Sequence, residues 1–99
     1  MNEETIKLSS KEAHGFVNSL GNFNLVWIQT DIGMVGCGAF DVAALDKFTY
    51  PAARVKSSHG GPVTTTEDVL EGIIKDVNEA GQTRGIEVGM TGREALEKL

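Results

Sequence analysis

Absences set the first limits. The chain has one cysteine, Cys37, which excludes an intrachain disulfide and a metal cage built of cysteine alone. No apolar run approaches the roughly 20 residues that a bilayer-spanning helix needs. Positive charge is scarce: 9 Lys and Arg stand against 14 Asp and Glu, a net charge of −5, with no basic run. That balance argues against nucleic acid as a main partner. The start Met1-Asn2-Glu3-Glu4 is acidic, unlike the cationic opening of a secretory leader. The expectation is a cytoplasmic protein with no membrane partner. Phosphate-cradling and nucleophile motifs are missing as well. G-x-G-x-x-G would need glycine at 41, where Asp41 stands, and neither G-x-x-x-x-G-K-[ST] nor G-x-S-x-G occurs. No residue pattern names a cofactor, so the cofactor is left unknown.

What is present fits one domain over residues 1–99, 40% apolar and 23% charged. The first forty residues have the period of strands. Ile6 and Leu8 alternate with Thr5 and Lys7, and Ser9 to Glu12 form a polar turn. Residues 13–20 read as a second strand. Gly21-Asn22 places glycine in the first slot of a two-residue turn, as a type II′ hairpin prefers. Residues 23–30 follow, with Leu25, Val26, Trp27 and Ile28 consecutive, so both faces of this strand should be covered. Asp31-Ile32-Gly33 turns the chain into a strand over 34–38. Four strands on short turns predict an antiparallel meander.

The period then changes. Asp41 is a candidate N-cap for a helix over 42–48, with Val42, Leu45 and Phe48 on one face and Pro51 as its stop. Residues 52–56 read as a short strand and 57–62 as a loop. Thr64 to Thr66 offer caps for the next helix. Its stripe of Val69, Leu70, Ile73, Ile74, Val77 and Ala80 has helical spacing, with Gly72 as a kink between two helices. Gly85 is a natural stop, and Ile86-Glu87-Val88 a short strand. Thr91-Gly92-Arg93-Glu94 has capping-box spacing for a last helix over 92–98, with Ala95, Leu96 and Leu99 inward.

Strands first and helices afterwards predict an α+β domain, an N-terminal antiparallel β-meander followed by helices on one face of the sheet. Helices on one face leave the other bare. With a central strand apolar on both sides and few elements left to cover it, self-association is expected.

Two segments carry a resemblance. Met34-Val35-Gly36-Cys37-Gly38-Ala39-Phe40-Asp41 and Gly85-Ile86-Glu87-Val88-Gly89-Met90-Thr91-Gly92-Arg93-Glu94-Ala95-Leu96, in this order and spacing, resemble the YunC-like family of small bacterial and archaeal proteins, a domain of unknown function. The resemblance runs from about residue 13 to the end. It implies a homotetramer assembled through the N-terminal β region, and no activity, ligand or catalytic residue. Ser57 to Pro62 is longer and more glycine-rich than the family's segment, so a function placed there is particular to this chain.

The chemistry-bearing residues each have a plain reading and a functional one. Cys37, between two glycines at a strand end before a helix, suits tight packing. It also suits an activated thiol, with Gly38 or Ala39 N–H as oxyanion donors. His14 on a strand reads as a half-buried sheet histidine or, in the enzyme reading, as an alternative base for Cys37. His59, in the Ser57–Pro62 loop, is a surface residue or, if it meets Cys37, the base of a Cys–His dyad. A small anion is the other possibility, held by Thr91, Gly92 and Arg93 with Arg54. The plain alternative is that Thr91 and Glu94 cap each other while Arg93 pairs with an acidic neighbour. The acidic residues at 41, 46, 67, 68, 71, 76 and 79 read as a solvated face. The whole points to a homo-oligomer that is non-catalytic or binds a small ligand, with a small Cys37-dependent enzyme as the alternative.

Overall fold

Polar and glycine turns cut the N-terminal region into strands where alternation requires them. The computed structural model describes residues 2–99; of the acidic start, Met1 lies outside the described residues. The strands are β1 (Asn2–Lys7), β2 (Glu12–Ser19), β3 (Asn24–Gln29) and β4 (Met34–Gly36), and consecutive pairs run antiparallel. Gly21, at φ 101°, occupies the first slot of the β2–β3 turn, which the Leu20 N–H closes on the Phe23 carbonyl. At the next turn the Thr30 hydroxyl accepts from the Ile32 and Gly33 N–H groups.

Asp41 caps α1 (Val42–Asp46) by accepting from the Ala44 N–H at 3.0 Å. The helix leads to β5 (Ala52–Lys56), which pairs parallel to β4. Only Val42 of α1 is buried, Leu45 is half-buried, and Phe48 is 79% exposed rather than inward. The chain leaves α1 through Thr49 at φ 55°. Bonds from Thr49 N–H to Asp46 and from Tyr50 N–H to Leu45 give a Schellman-type ending.

The stripe from Val69 to Ala80 is not two helices. It divides into α2 (Thr66–Glu71), strand β6 (Ile73–Val77) and α3 (Glu79–Thr83). Gly72 is extended (φ −68°, ψ 169°) and changes helix into strand. β6 completes a six-stranded sheet in the order β1-β2-β3-β4-β5-β6, antiparallel to β5. Its helical look has a specific cause. A bulge opposite Arg54/Val55 leaves Lys75 without a partner, so Ile74 pairs Val55 and Val77 pairs Ala53. Ile74 and Val77 therefore face the same side three residues apart, as they would on a helix.

α3 closes with a Schellman motif. Gly85 sits at φ 97°, its N–H bonding Gln82 and the Ile86 N–H bonding Gly81. Residues 86–88 are not a strand: 86 and 87 are irregular and 88 opens a turn. The pairing with β6 comes one step later, through Met90 and Thr91. The last helix is α4 (Gly92–Glu97), with Ala95, Leu96 and Leu99 buried and the Thr91–Glu94 capping box present.

Val26 and Ile28 of β3, Val35, Ala53, Val55 and Ile74 form the main core with Val69, Leu70, Ala95 and Leu96. α2 and α4 thus cover one face. On the other, α1 and Phe40 cover Met34 and Ala52, so one short helix lies opposite α2 and α4. That cover reaches β4 and β5, while β1 to β3 carry no helix on this side. The described residues contain no helix long and apolar enough to cross a membrane.

Candidate functional site

One row of residues crosses the helix-poor face. Register places Glu3, Phe16, Trp27, Gly36, Arg54 and Asp76 opposite one another, one per strand. Phe16 stacks on Trp27 with ring centroids 5.0 Å apart. Gly36 has no side chain, and Phe40 fills the space. Its ring meets Trp27 edge-on at 5.8 Å, and a Cβ on Gly36 would come within 2.5 Å of it. Next in the row, Arg54 Nε lies 2.6 Å from Asp76 Oδ2. Its Nη1 donates to the carbonyls of Gly38 (2.9 Å) and Phe40 (3.4 Å). Arg54 therefore ties the β4–α1 turn to β5 and β6. The hollow beside it, about 380 Å³, is lined by residues 39–43 with Arg54 and Asp76.

Cys37 follows Gly36 and so turns to the opposite face, paired with Val26 through its backbone N–H. It is 5% exposed. No hydrogen bond links its thiol to either histidine among the described residues. His59 is held elsewhere: its Nε2 lies 3.3 Å from Asp68 Oδ1. Asp68 is itself fixed. Its Oδ2 accepts from Thr64 N–H, Thr64 Oγ1 and Thr65 N–H, and the Thr65 hydroxyl completes the capping box of α2. The Thr64 N–H, opposed by burial and helped by the His59 and Thr65 contacts, holds the Asp68 carboxyl down at about 2. His14 Nδ1 stands 3.4 Å from Glu3 on the open face.

The residues expected to hold an anion fall apart. Thr91 and Glu94 satisfy each other, Oε1 to Thr91 N–H at 2.9 Å and Oγ1 to Glu94 N–H at 3.0 Å. The Gly92 N–H is spent on the Gly72 carbonyl at 2.9 Å, and a Cβ there would collide with the Val69 carbonyl. Arg93 reaches the Lys7 carbonyl from the outside. Arg54 is part of the row on the sheet's other face. Among the described residues, no group of three or more His, Cys, Asp or Glu could hold a metal ion.

The family model for a domain of unknown function, DUF1805, matches residues 36–99. The chain belongs to the DUF1805 family. The uncharacterized protein YunC of Bacillus subtilis (strain 168) is 37% identical over 76 residues, 77% of this chain and 74% of YunC. The crystal structure of TA1206 from Thermoplasma acidophilum, a protein of unknown function, superposes with a TM-score of 0.87 at 26% identity. That match covers 99% of this chain and 91% of the other. The DUF1805 match begins at Gly36, where Phe40 crosses the sheet, and takes in Arg54 and Asp76.

Sequence reasoning missed two residues. Asp68 belongs by pattern to the solvated acidic set, although T-x-x-D from Thr65 has the spacing of a cap. Asn78 falls inside the stripe of helical spacing, but it is the N-cap of α3, 6% exposed, and its side chain makes four bonds. Its Oδ1 accepts from Ala52 and Gly81 N–H, and its Nδ2 donates to the Val42 and Tyr50 carbonyls. It joins α1, β5 and α3 behind the site.

Proposed function

We propose that the protein works as a cytoplasmic, non-catalytic homo-oligomer, a tetramer, assembled through the uncovered face of β1 to β3, without nucleic acid or membrane as partner. The observation that carries this is the aromatic row. Phe16 and Trp27 are half-buried on the part of this face that α1 does not cover, and the hairpin at its end leaves Leu20 48% and Phe23 52% exposed. Contiguous apolar surface of this kind marks an association site. The open face carries both signs, with Glu3 and Lys7 of β1 and Glu12 and His14 of β2 in phase with Phe16, which suits a two-fold copy of itself. Cys37 supports packing over catalysis: it is buried on the far face, and neither histidine bonds it. Slow alkylation by iodoacetamide at neutral pH is the corresponding expectation.

Sedimentation velocity tests the assembly. The intact chain should run as a tetramer at micromolar concentration. Leu20→Asp and Phe23→Asp, both at exposed positions, should lower the mass while circular dichroism stays unchanged. A stable folded species of 10.6 kDa for the unaltered chain would overturn the proposal.

A further inference from the structure

The two edges of the sheet differ. β6 is closed on its outer side: the Ile74 N–H donates to the Met90 carbonyl, the Gly89 N–H donates to the Ile74 carbonyl, and Ile73 bridges Thr91. β1 has no strand outside it among the described residues. It pairs with β2 without a bulge and contains no proline, two devices that commonly spoil an exposed edge. The Leu8 N–H bonds the Lys11 carbonyl. Bonding alternates along an antiparallel ladder, so Asn2, Glu4 and Ile6 turn their N–H and C=O groups toward β2. Glu3, Thr5 and Lys7 turn theirs outward. Of these outward groups, the Lys7 carbonyl accepts from Arg93 at 3.4 Å and keeps a second lone pair. The others have no backbone partner among the described residues.

We propose that β1 pairs antiparallel with β1 of a second copy, on a two-fold axis through Thr5. Only the outward residues can bond across the edge, and the register centred on Thr5 engages all of them. Thr5 meets the partner's Thr5, and each Glu3 meets the partner's Lys7, with both N–H···O bonds exchanged at every pair. The side chains agree with the backbone. Residues directly opposite hold their Cβ atoms about 4.5–5.5 Å apart, which sets the Glu3 carboxylate against the partner's Lys7 ammonium on both sides of the axis. A slip of two residues either way puts Glu3 or Lys7 on Thr5 and forfeits both charge pairs. Within its own chain Glu3 stands 3.4 Å from His14, and Lys7 lies opposite Glu12. The contact deepens the tetramer reading and rests on it. One self-complementary face closes a pair of chains and is then used up, so a tetramer needs a second two-fold contact, and the edge supplies it. Joined this way, two copies carry their helix-poor faces on the same side of one continuous sheet.

Cross-linking and sedimentation velocity test the register. Paired Thr5 Cα atoms would lie about 5.5 Å apart, within reach of a disulfide. Thr5→Cys should therefore give a covalent dimer on mild oxidation, while Glu4→Cys and the unaltered chain, whose Cys37 is buried, should not. Lys7→Glu should halve the sedimenting mass with an unchanged circular dichroism spectrum, and adding Glu3→Lys should restore it. Repulsion from Glu12 inside the chain is the same in both variants, so recovery can come only across copies. No Thr5 cross-link, equal cross-linking at Glu4→Cys, or Lys7→Glu without loss of mass would each overturn the proposal. The two contacts fail differently. An unaltered chain that runs as a dimer and links through Thr5→Cys would end the face reading and uphold the edge; a tetramer that never links there would do the reverse.

Discussion

Phe40 lies across the backbone of Gly36, so close that a Cβ on Gly36 would stand 2.5 Å from the ring. The glycine is a seat for the aromatic ring that joins Trp27 to the β4–α1 turn. Gly36→Ala should displace Phe40 and cost about 1–3 kcal/mol, the usual range for overpacking. Urea denaturation should show a lower midpoint with an unchanged slope. A neutral substitution would mean that the ring moves freely.

Asn78 uses all of its hydrogen-bonding capacity inside the protein. Asn78→Ala leaves two N–H groups and two carbonyls without this partner, for an expected loss of about 2–4 kcal/mol. Asn78→Asp should do no better despite its equal size. It would aim a carboxylate at the Val42 and Tyr50 carbonyls, which the amide now donates to. Thermal denaturation of both variants checks this; an aspartate variant as stable as the parent would contradict the assignment of Oδ1 and Nδ2.

Asp68 sets an acid limit on α2. Its carboxyl is held at about 2 in the folded chain, against an ordinary value of 3.8. A lowered folded value means that the stabilisation is complete above pH about 4 and fades as the pH falls toward 2. Stability should decline across that window, and Asp68→Asn should lose most of this decline while starting from a lower plateau. A parallel decline in the variant would assign the acid sensitivity to other carboxyls.

Thr49 holds a left-handed backbone at φ 55°, a conformation that β-branched residues avoid and glycine adopts freely. Thr49→Gly should raise stability by up to about 1 kcal/mol, read as a higher melting temperature. A fall would show that the hydroxyl or the methyl group holds the α1 ending together.

The meander was legible because its turns carry their own chemistry: Gly21 with a positive φ, and polar residues between alternating strands. α4 was legible for a similar local reason, since a capping box is complete within four residues. β6 was not. The bulge at Lys75 put Ile74 and Val77 on one side at a spacing of three, and only the β5 partner distinguishes that from a helix. Spacing puts Phe48 on one helical face with Val42 and Leu45, but α1 ends at Asp46, before the sheet can cover it. The site shows the same division between local and distant information. Thr65 and Asp68 are a short-range pair with a readable pattern. Arg54 and Asp76, 22 residues apart, meet only once β5 and β6 pair. The Cys–His dyad rested on two residues that the pleat and the loop send to different partners.

Trp27 is the single indole of the chain, and it stands midway along the open face with Phe16 on one side and Phe40 on the other. The molecule thus carries a built-in optical probe where sister copies would touch. Emission wavelength and quenching by iodide would follow assembly in unlabelled protein.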